Sequence, residues 1–361
     1  MRVTYFSFKY KLIRFLAKTI VYAFQLITFQ KKDLETVVNI GKASISILLK
    51  TPVRFMTQFS VSPKLAVNIY GLKFASPITF AAYEAHLPLL ELFFRIGIGG
   101  GCIKTMMVEP QKGNKRPRLQ QIKIDNQWSL INALGLPGKG INTMSKLLKG
   151  SKLFDFNRAI GLSIGGHHCD EYKAALNQYE SHFSNNKNMY YEINISCPNT
   201  QEGQDLAHNL DLLKDLLIYA RDHTTKVISV KLTPDLNDNQ LLEIATLISK
   251  FDKMIINIGN TTKRRCEEVG LAKNAISIGA GGLSGPTLFN RTFEMVKLLK
   301  PLEVPLIATG GIDSVEKIKQ CLDAGASLVG MATTLVMDPF QVINFNKKLE
   351  ENSYVSKSAQ G

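Results

Sequence analysis

A thiol and two carboxamides stand within six residues in the run Asn194-Ile195-Ser196-Cys197-Pro198-Asn199. A carboxamide both donates and accepts hydrogen bonds. Asn194 and Asn199 therefore suit a flat heterocycle whose edge alternates carbonyl and N–H groups. The thiol of Cys197 serves as a base or nucleophile once its surroundings lower its pKa. Taken singly, each residue has a plainer explanation, because free cysteines are commonly inert core residues and Asn-Pro-Asn makes turns. What the rest of the chain sets beside them decides the matter.

The residues before this run, from Tyr190 to Ile195, alternate at a strand's period of two, and the chain turns into a loop at Pro198. The same organisation recurs from Ala66 onward. A hairpin turning at Gly71 comes first, then short apolar runs alternate with helical stretches. Strands are expected at 78–82, 102–105, 160–164, 190–195, 227–232, 254–258, 305–308 and 327–331. Helices are expected at about 87–95, 140–149, 169–182, 208–222, 237–250, 287–300, 314–324 and 339–350. Eight such pairs predict an α/β fold of the (β/α)8 TIM-barrel class over 66–350, preceded by a small N-terminal helical extension (1–65) and followed by a tail (351–361). A doubly wound sheet is the second choice, but no Gly-x-Gly-x-x-Gly follows the first strand.

A barrel gathers its chemistry at the C-terminal ends of its strands. Lys104, Ser163 with Gly165, Asn194 to Asn199, and Lys231 fall there. So do Asn260-Thr261-Thr262, Thr309-Gly310-Gly311 and Ala332-Thr333. Packing alone does not explain charged and amide residues at this end of successive strands. The glycine runs Gly279–Gly285 and Thr309–Asp313 are read as loops whose N–H groups, with a helix beginning near Ser314, bind a phosphate.

The five cysteines (102, 169, 197, 266 and 321) are scattered and lack metal-ligand spacing, which argues against a disulfide framework or a metal site. His167-His168 is read as a surface loop, since adjacent residues face apart. The net charge of +14 is concentrated: seven Lys/Arg residues and no acid precede Asp33. No nucleic-acid motif accompanies them. Residues 5–29 mix these cations with aromatics and aliphatics, and the uncharged run Thr19–Gln30 is too short to span a bilayer. The reading is a basic helix lying on a membrane surface, with packing against its own protein as the alternative. A second amphipathic stretch covers Leu34–Leu49.

From about Val67 to Met337 the chain resembles the FMN-dependent dihydroorotate dehydrogenases. The resemblance rests on Asn-Ile-Ser-Cys-Pro-Asn at 194–199, Glu109–Asn114 with Pro117-Arg118, and Ile131–Gly135. Val230–Leu236, Asn260-Thr261-Thr262, Gly281–Gly285 and Thr309–Ile312 continue it in order. It implies FMN as cofactor and oxidation of (S)-dihydroorotate to orotate, the step of pyrimidine synthesis that forms the ring's double bond. Cys197 is then the base that removes the C5 proton. Lys104, Asn132, Asn194, Asn199, Asn260 and Thr261 hold the substrate. The flavin contacts are Ala81, Ala82, Lys104, Ser163, Asn194, Lys231, Asn260, Gly282, Gly310, Gly311, Ala332 and Thr333.

The cysteine base and Lys104 are similar to the soluble class of the family. The basic extension, Gly-Asn-Thr-Thr and Gly-Gly-Leu-Ser-Gly are similar to the membrane-bound class. Ala81–His86 departs from that class's usual pattern at Tyr83. Together these features imply quinone as electron acceptor, with attachment to the cytoplasmic face of a bacterial inner membrane. A mitochondrial inner membrane or the cytoplasm are the alternatives. No oligomeric state is implied. Two competing readings are a flavin barrel acting on another dihydropyrimidine and a flavin-binding, membrane-associated homologue without turnover.

Overall fold

The computed structural model describes residues 2–195 and 206–351. Two helices come first, α1 (Arg2–Ile27) and α2 (Glu35–Leu48), before a short antiparallel hairpin of β1 (Val67–Ile69) and β2 (Leu72–Phe74). Gly71 takes a positive φ of 86° in the hairpin turn, as a residue without Cβ readily does. Eight parallel strands then close a barrel: β3 (Ile78–Phe80), β4 (Gly100–Met106), β7 (Ile160–Ile164), β8 (Met189–Asn194), β9 (Ile228–Leu232), β10 (Met254–Ile258), β13 (Leu306–Thr309) and β14 (Leu328–Met331). All eight coincide with the expected strands to within about two residues at each end. Their intervening helices include α3 (Leu87–Arg95), α4 (Ile141–Lys149) and α5 (Cys169–Phe183).

Alternation sorts each strand's residues. On β8, Tyr191 and Ile193 join the core shared with the helices, and Tyr190 points the other way. There Tyr190 meets Phe74 of the β1–β2 hairpin, which plugs the barrel's lower end. On β9, Ile228, Val230 and Leu232 face the helices. The buried polar positions Glu192, Asn194, Ser229 and Lys231 are the alternate residues of the same two strands.

A four-stranded antiparallel sheet, in the order β11-β12-β6-β5, was not anticipated. It is built from β5 (Leu119–Ile124), β6 (Gln127–Asn132), β11 (Thr262–Arg265) and β12 (Ala280–Ser284). The expectation of a loop over Gly279–Gly285 is therefore corrected: most of that run is strand. Its glycines serve close approach, since a side chain on Gly281 would come within 2.7 Å of the Asn132 carbonyl oxygen and one on Gly282 would collide with Thr261. β5 and β6 join through Asp125 and Asn126, both at positive φ (48° and 59°).

The helix α1 lies along this sheet. Val21 packs with Leu130, Leu34 and Val37, and Arg14 donates to Gln121 at 2.9 Å. The indole of Trp128, 44% exposed, sits between the ammonium groups of Lys18 (5.0 Å) and Lys123 (5.1 Å). Farther along, Ser7 donates to Asp338, Lys11 pairs with the same carboxylate at 3.1 Å, and the Tyr10 hydroxyl donates to the Val336 carbonyl. Among the described residues no helix is long and apolar enough to cross a membrane.

Candidate active site

A cavity of about 1500 Å³ opens at the C-terminal ends of the barrel strands and runs beneath α1 and α2. On the barrel side it is lined by Ala81, Ala82, Lys104, Asn194, Lys231, Asn260 and Thr261. Gly310, Gly311, Ala332 and Thr333 line it from the last two strands, and Asn132 and Gly282 from the added sheet. Thirteen expected site residues, distant in sequence, thus share one wall. Ser163 does not: it is fully buried beneath the wall, and its hydroxyl bonds Thr105 Oγ1 at 2.8 Å. Cys197 and Asn199 lie outside the described residues.

Below the wall, neighbours fix the orientation of the polar groups. Asn194 ends β8 and is 6% exposed; its Nδ2 donates to Thr105 Oγ1 at 3.0 Å, and the Tyr172 hydroxyl donates to its carbonyl at 2.9 Å. Asn132 donates through Nδ2 to the Gly282 carbonyl at 3.2 Å, tying β6 to β12. Asn260 Oδ1 accepts from the Thr261 N–H at 2.9 Å, and Thr333 Oγ1 donates to Ser284 Oγ at 2.9 Å. These bonds hold side chains that would otherwise sample several rotamers, which is how a binding wall is organised before its ligand arrives.

Two lysines give the wall its charge. Lys104 donates its ammonium to the Pro137 carbonyl at 2.8 Å; burial pulls its pKa down to about 8, with the Glu84 charge opposing the shift. Lys231, 5% exposed, makes no hydrogen bond or ion pair with its ammonium among the described residues. Such a cation lining a cavity is organised for an electron-rich ligand.

The loop after β3 turns out to be the fastening for α2. Glu84 accepts from the N–H groups of Ala85 and His86 at 2.9 Å through one oxygen and pairs with Lys42 of α2 at 2.9 Å through the other. His86 Nε2 lies 3.1 Å from Ser46 Oγ, and burial lowers the imidazole's pKa. Beside it, burial and the Glu84 charge raise the Tyr83 hydroxyl's pKa well above the phenolic value. At the start of α2, Glu35 receives both Nε and Nη2 of Arg118 at 2.7 Å, and Asp33 pairs with Arg116 at 2.5 Å. The Arg118 hydrogen bonds hold the Glu35 carboxyl below its usual range.

Thr105, Tyr172 and Glu84 were not singled out from sequence. A threonine and a tyrosine that act by hydrogen-bonding a neighbour look like any polar residue at a strand or helix face. Glu84 was visible only as a departure from a motif.

The family model described as dihydroorotate dehydrogenase matches residues 64–352. The chain belongs to the dihydroorotate dehydrogenase family. Curated relatives include the dihydroorotate dehydrogenase (quinone) of Chromobacterium violaceum, 32% identical over 78% of this chain and 84% of that protein. That of Clavibacter sepedonicus is 29% identical over 88% of this chain and 95% of its own length. A crystal structure of DHODH from Eimeria tenella, in complex with ferulenol, superposes with a TM-score of 0.71. At 22% identity, over 88% of this chain and 93% of that one, the likeness concerns the fold. Within the dihydroorotate dehydrogenase family, then, this member closes its cavity with two helices clipped to the main domain by ion pairs and charged hydrogen bonds that include Lys11–Asp338, Asp33–Arg116 (from the link between the helices), Glu35–Arg118, Lys42–Glu84 and Ser7–Asp338.

Proposed function

We propose that the protein oxidises (S)-dihydroorotate to orotate, with FMN as the resident cofactor and quinone as the onward electron acceptor. The observation that carries this reading is the meeting of Lys104, Asn132, Asn194, Lys231 and Asn260 on one cavity wall in a chain of this family. The wall fits FMN chemically. Lys231, without a hydrogen bond or ion pair at its ammonium among the described residues, offers a cation to the electron-rich end of a flavin. Gly310 and Gly311, at φ of 136° and 71°, let the backbone turn close beside the helix Phe289–Leu299, where a side chain would collide with Thr292 or Phe289. Bound FMN would supply the hydride-accepting ring.

The remaining work falls to the chain. Asn132, Asn194 and Asn260 hold the pyrimidine's amide edge in plane, because each can match a carbonyl or an N–H. Lys104 offsets the substrate carboxylate while it is protonated. Cys197 takes the C5 proton, a role supported by its place in Asn-Ile-Ser-Cys-Pro-Asn. Toward α1 and α2 the cavity becomes apolar, with Phe6, Ile13, Val38, Ile45, Val53 and Met56 on its wall, which suits a quinone. Elsewhere along α1, Phe8, Ile20 and Ile27 are 64%, 68% and 75% exposed, which suits a lipid surface, here the cytoplasmic face of a bacterial inner membrane.

Anaerobic addition of dihydroorotate to the purified, flavin-loaded protein tests the proposal. The expected outcome is bleaching of the flavin absorbance, followed by reoxidation with quinone. A flavin bleached by dihydrouracil but not by dihydroorotate would move the assignment to another dihydropyrimidine. Flavin that neither substrate bleaches would make the protein a binding homologue without turnover.

A further inference from the structure

One layer below the cavity wall, the barrel interior holds a carboxylate that the proposed reaction leaves unused. Alternation along β8 puts Glu192 on the same side as Tyr190 and Asn194, inside the barrel and fully buried. Its Oε2 accepts from Asn257 Nδ2 at 2.7 Å, and Asn257 Oδ1 accepts from Thr309 Oγ1 at 2.8 Å. Three strands thereby fix the carboxyl's orientation. Its other oxygen accepts from no N–H or O–H group among the described residues and has the Cys102 thiol as a neighbour, and the hydroxyl of Ser229 opposite it in register has no hydrogen-bond partner there. A carboxylate so enclosed and half satisfied is costly, and a nearby cation is the usual compensation.

Lys231 is the cation in place. The β8–β9 register pairs Glu192 with Ser229 and Asn194 with Lys231, so the lysine stands two residues, roughly 7 Å, farther up the barrel. Both charges lie near the buried Cys102 thiol: burial raises its pKa well above the usual value, Glu192 adds to the rise and Lys231 opposes it. Glu192 thus lies one step below Lys231 on the barrel's inner face, and Lys231 lines the cavity while Glu192 does not.

We propose that Glu192 is a positioning residue that acts through Lys231, offsetting the lysine's charge from beneath and so setting the reduction potential of the flavin. This rests on the FMN reading above. A reduced flavin carries more negative charge than an oxidised one. A lone lysine at its edge would favour the reduced form, and a carboxylate behind that lysine weakens the preference. With Glu192 the flavin is a weaker oxidant toward dihydroorotate and a stronger reductant toward quinone. The buried glutamate divides the driving force between the two halves of the cycle.

The test is the flavin midpoint potential of the full-length holoprotein and of Glu192→Gln and Glu192→Asp, read spectrophotometrically against reference dyes. Glu192→Gln should shift the potential upward, and Glu192→Asp, which keeps the charge, should stay near the parent. In single turnovers Glu192→Gln should speed flavin reduction and slow reoxidation by quinone. A potential unchanged in Glu192→Gln, or moved equally in both variants, overturns the proposal. If Glu192→Gln retains too little flavin for potentiometry, FMN binding to the apoproteins decides. Loss in Glu192→Gln with retention in Glu192→Asp supports a charge role, and equal loss in both overturns it. A parent protein that binds no FMN defeats the cofactor reading itself, which is a separate outcome.

Discussion

At the scale of single residues, the chemistry divides between groups that would touch substrate and groups that hold them still. Cys197→Ala should keep its flavin yet reduce it about 10²–10⁴-fold more slowly in stopped flow, the usual contribution of a positioned base. Cys197→Ser should retain part of the rate, with its optimum at higher pH because a hydroxyl ionises less readily. Thr105 belongs to the second group. Thr105→Val deletes the acceptor for Asn194 Nδ2, so the KM for dihydroorotate should rise about tenfold, equivalent to about 1.4 kcal/mol, with flavin retained. Lys104 supplies a pH dependence. With a pKa brought down to about 8, its cation is present below that pH and lost above it, so dihydroorotate binding should weaken as pH rises through about 8. Lys104→Met should bind weakly throughout and show no such limb. The asparagines and lysines at this scale were legible because their types are chemically conspicuous at strand ends. Thr105 and Tyr172 were not, since nothing in their identity distinguishes a residue that orients a neighbour from one that faces water.

At the scale of elements, the sequence yielded the barrel strands and hid the added sheet, for one physical reason. A parallel strand packed on both faces is a nearly continuous apolar run, as in Met-Ile-Ile-Asn-Ile of β10, and such runs stand out. The sheet of β5, β6, β11 and β12 pairs segments about 150 residues apart, and its β12 is written Ala-Gly-Gly-Leu-Ser, which reads as loop. Its β5–β6 hairpin did carry a signal, an Asp-Asn pair between two alternating stretches. The fastening of α2 likewise depends on partners that only the fold brings together. Glu35→Ala frees α2 from Arg118, and the effect should be selective: quinone reduction falls about tenfold, while reduction of a soluble dye by the same flavin is spared. Equal loss with both acceptors would mean that α2 supports the barrel rather than the quinone path. The pair's pH range follows from its sign. Glu35 has a depressed pKa, so its contribution is present above the ordinary glutamate range and is lost only as pH falls through the lowered value.

At the scale of the whole molecule, charge and apolar exposure coincide at one end of the chain. Half of the net +14 precedes Asp33, on and just after the helix whose exposed residues include Phe8, Phe15, Ile20 and Phe24, each 59–68% exposed. Electrostatic attraction between such a helix and an anionic bilayer is screened beyond about 10 Å at 0.1 M salt. Sedimentation with anionic vesicles should therefore weaken between low and high salt but not vanish, because the buried aromatic area remains. Deleting residues 1–60 should abolish it and spare dye reduction. The placement of Trp128 has a practical consequence for all of these measurements. It is the sole tryptophan of the protein, and its ring rests between one cation from α1 and one from the sheet. Intrinsic emission therefore reads the seam between the two without any label. A protein whose leading helix peels away when lipid or quinone arrives would announce it as a change in colour and lifetime of a single native fluorophore.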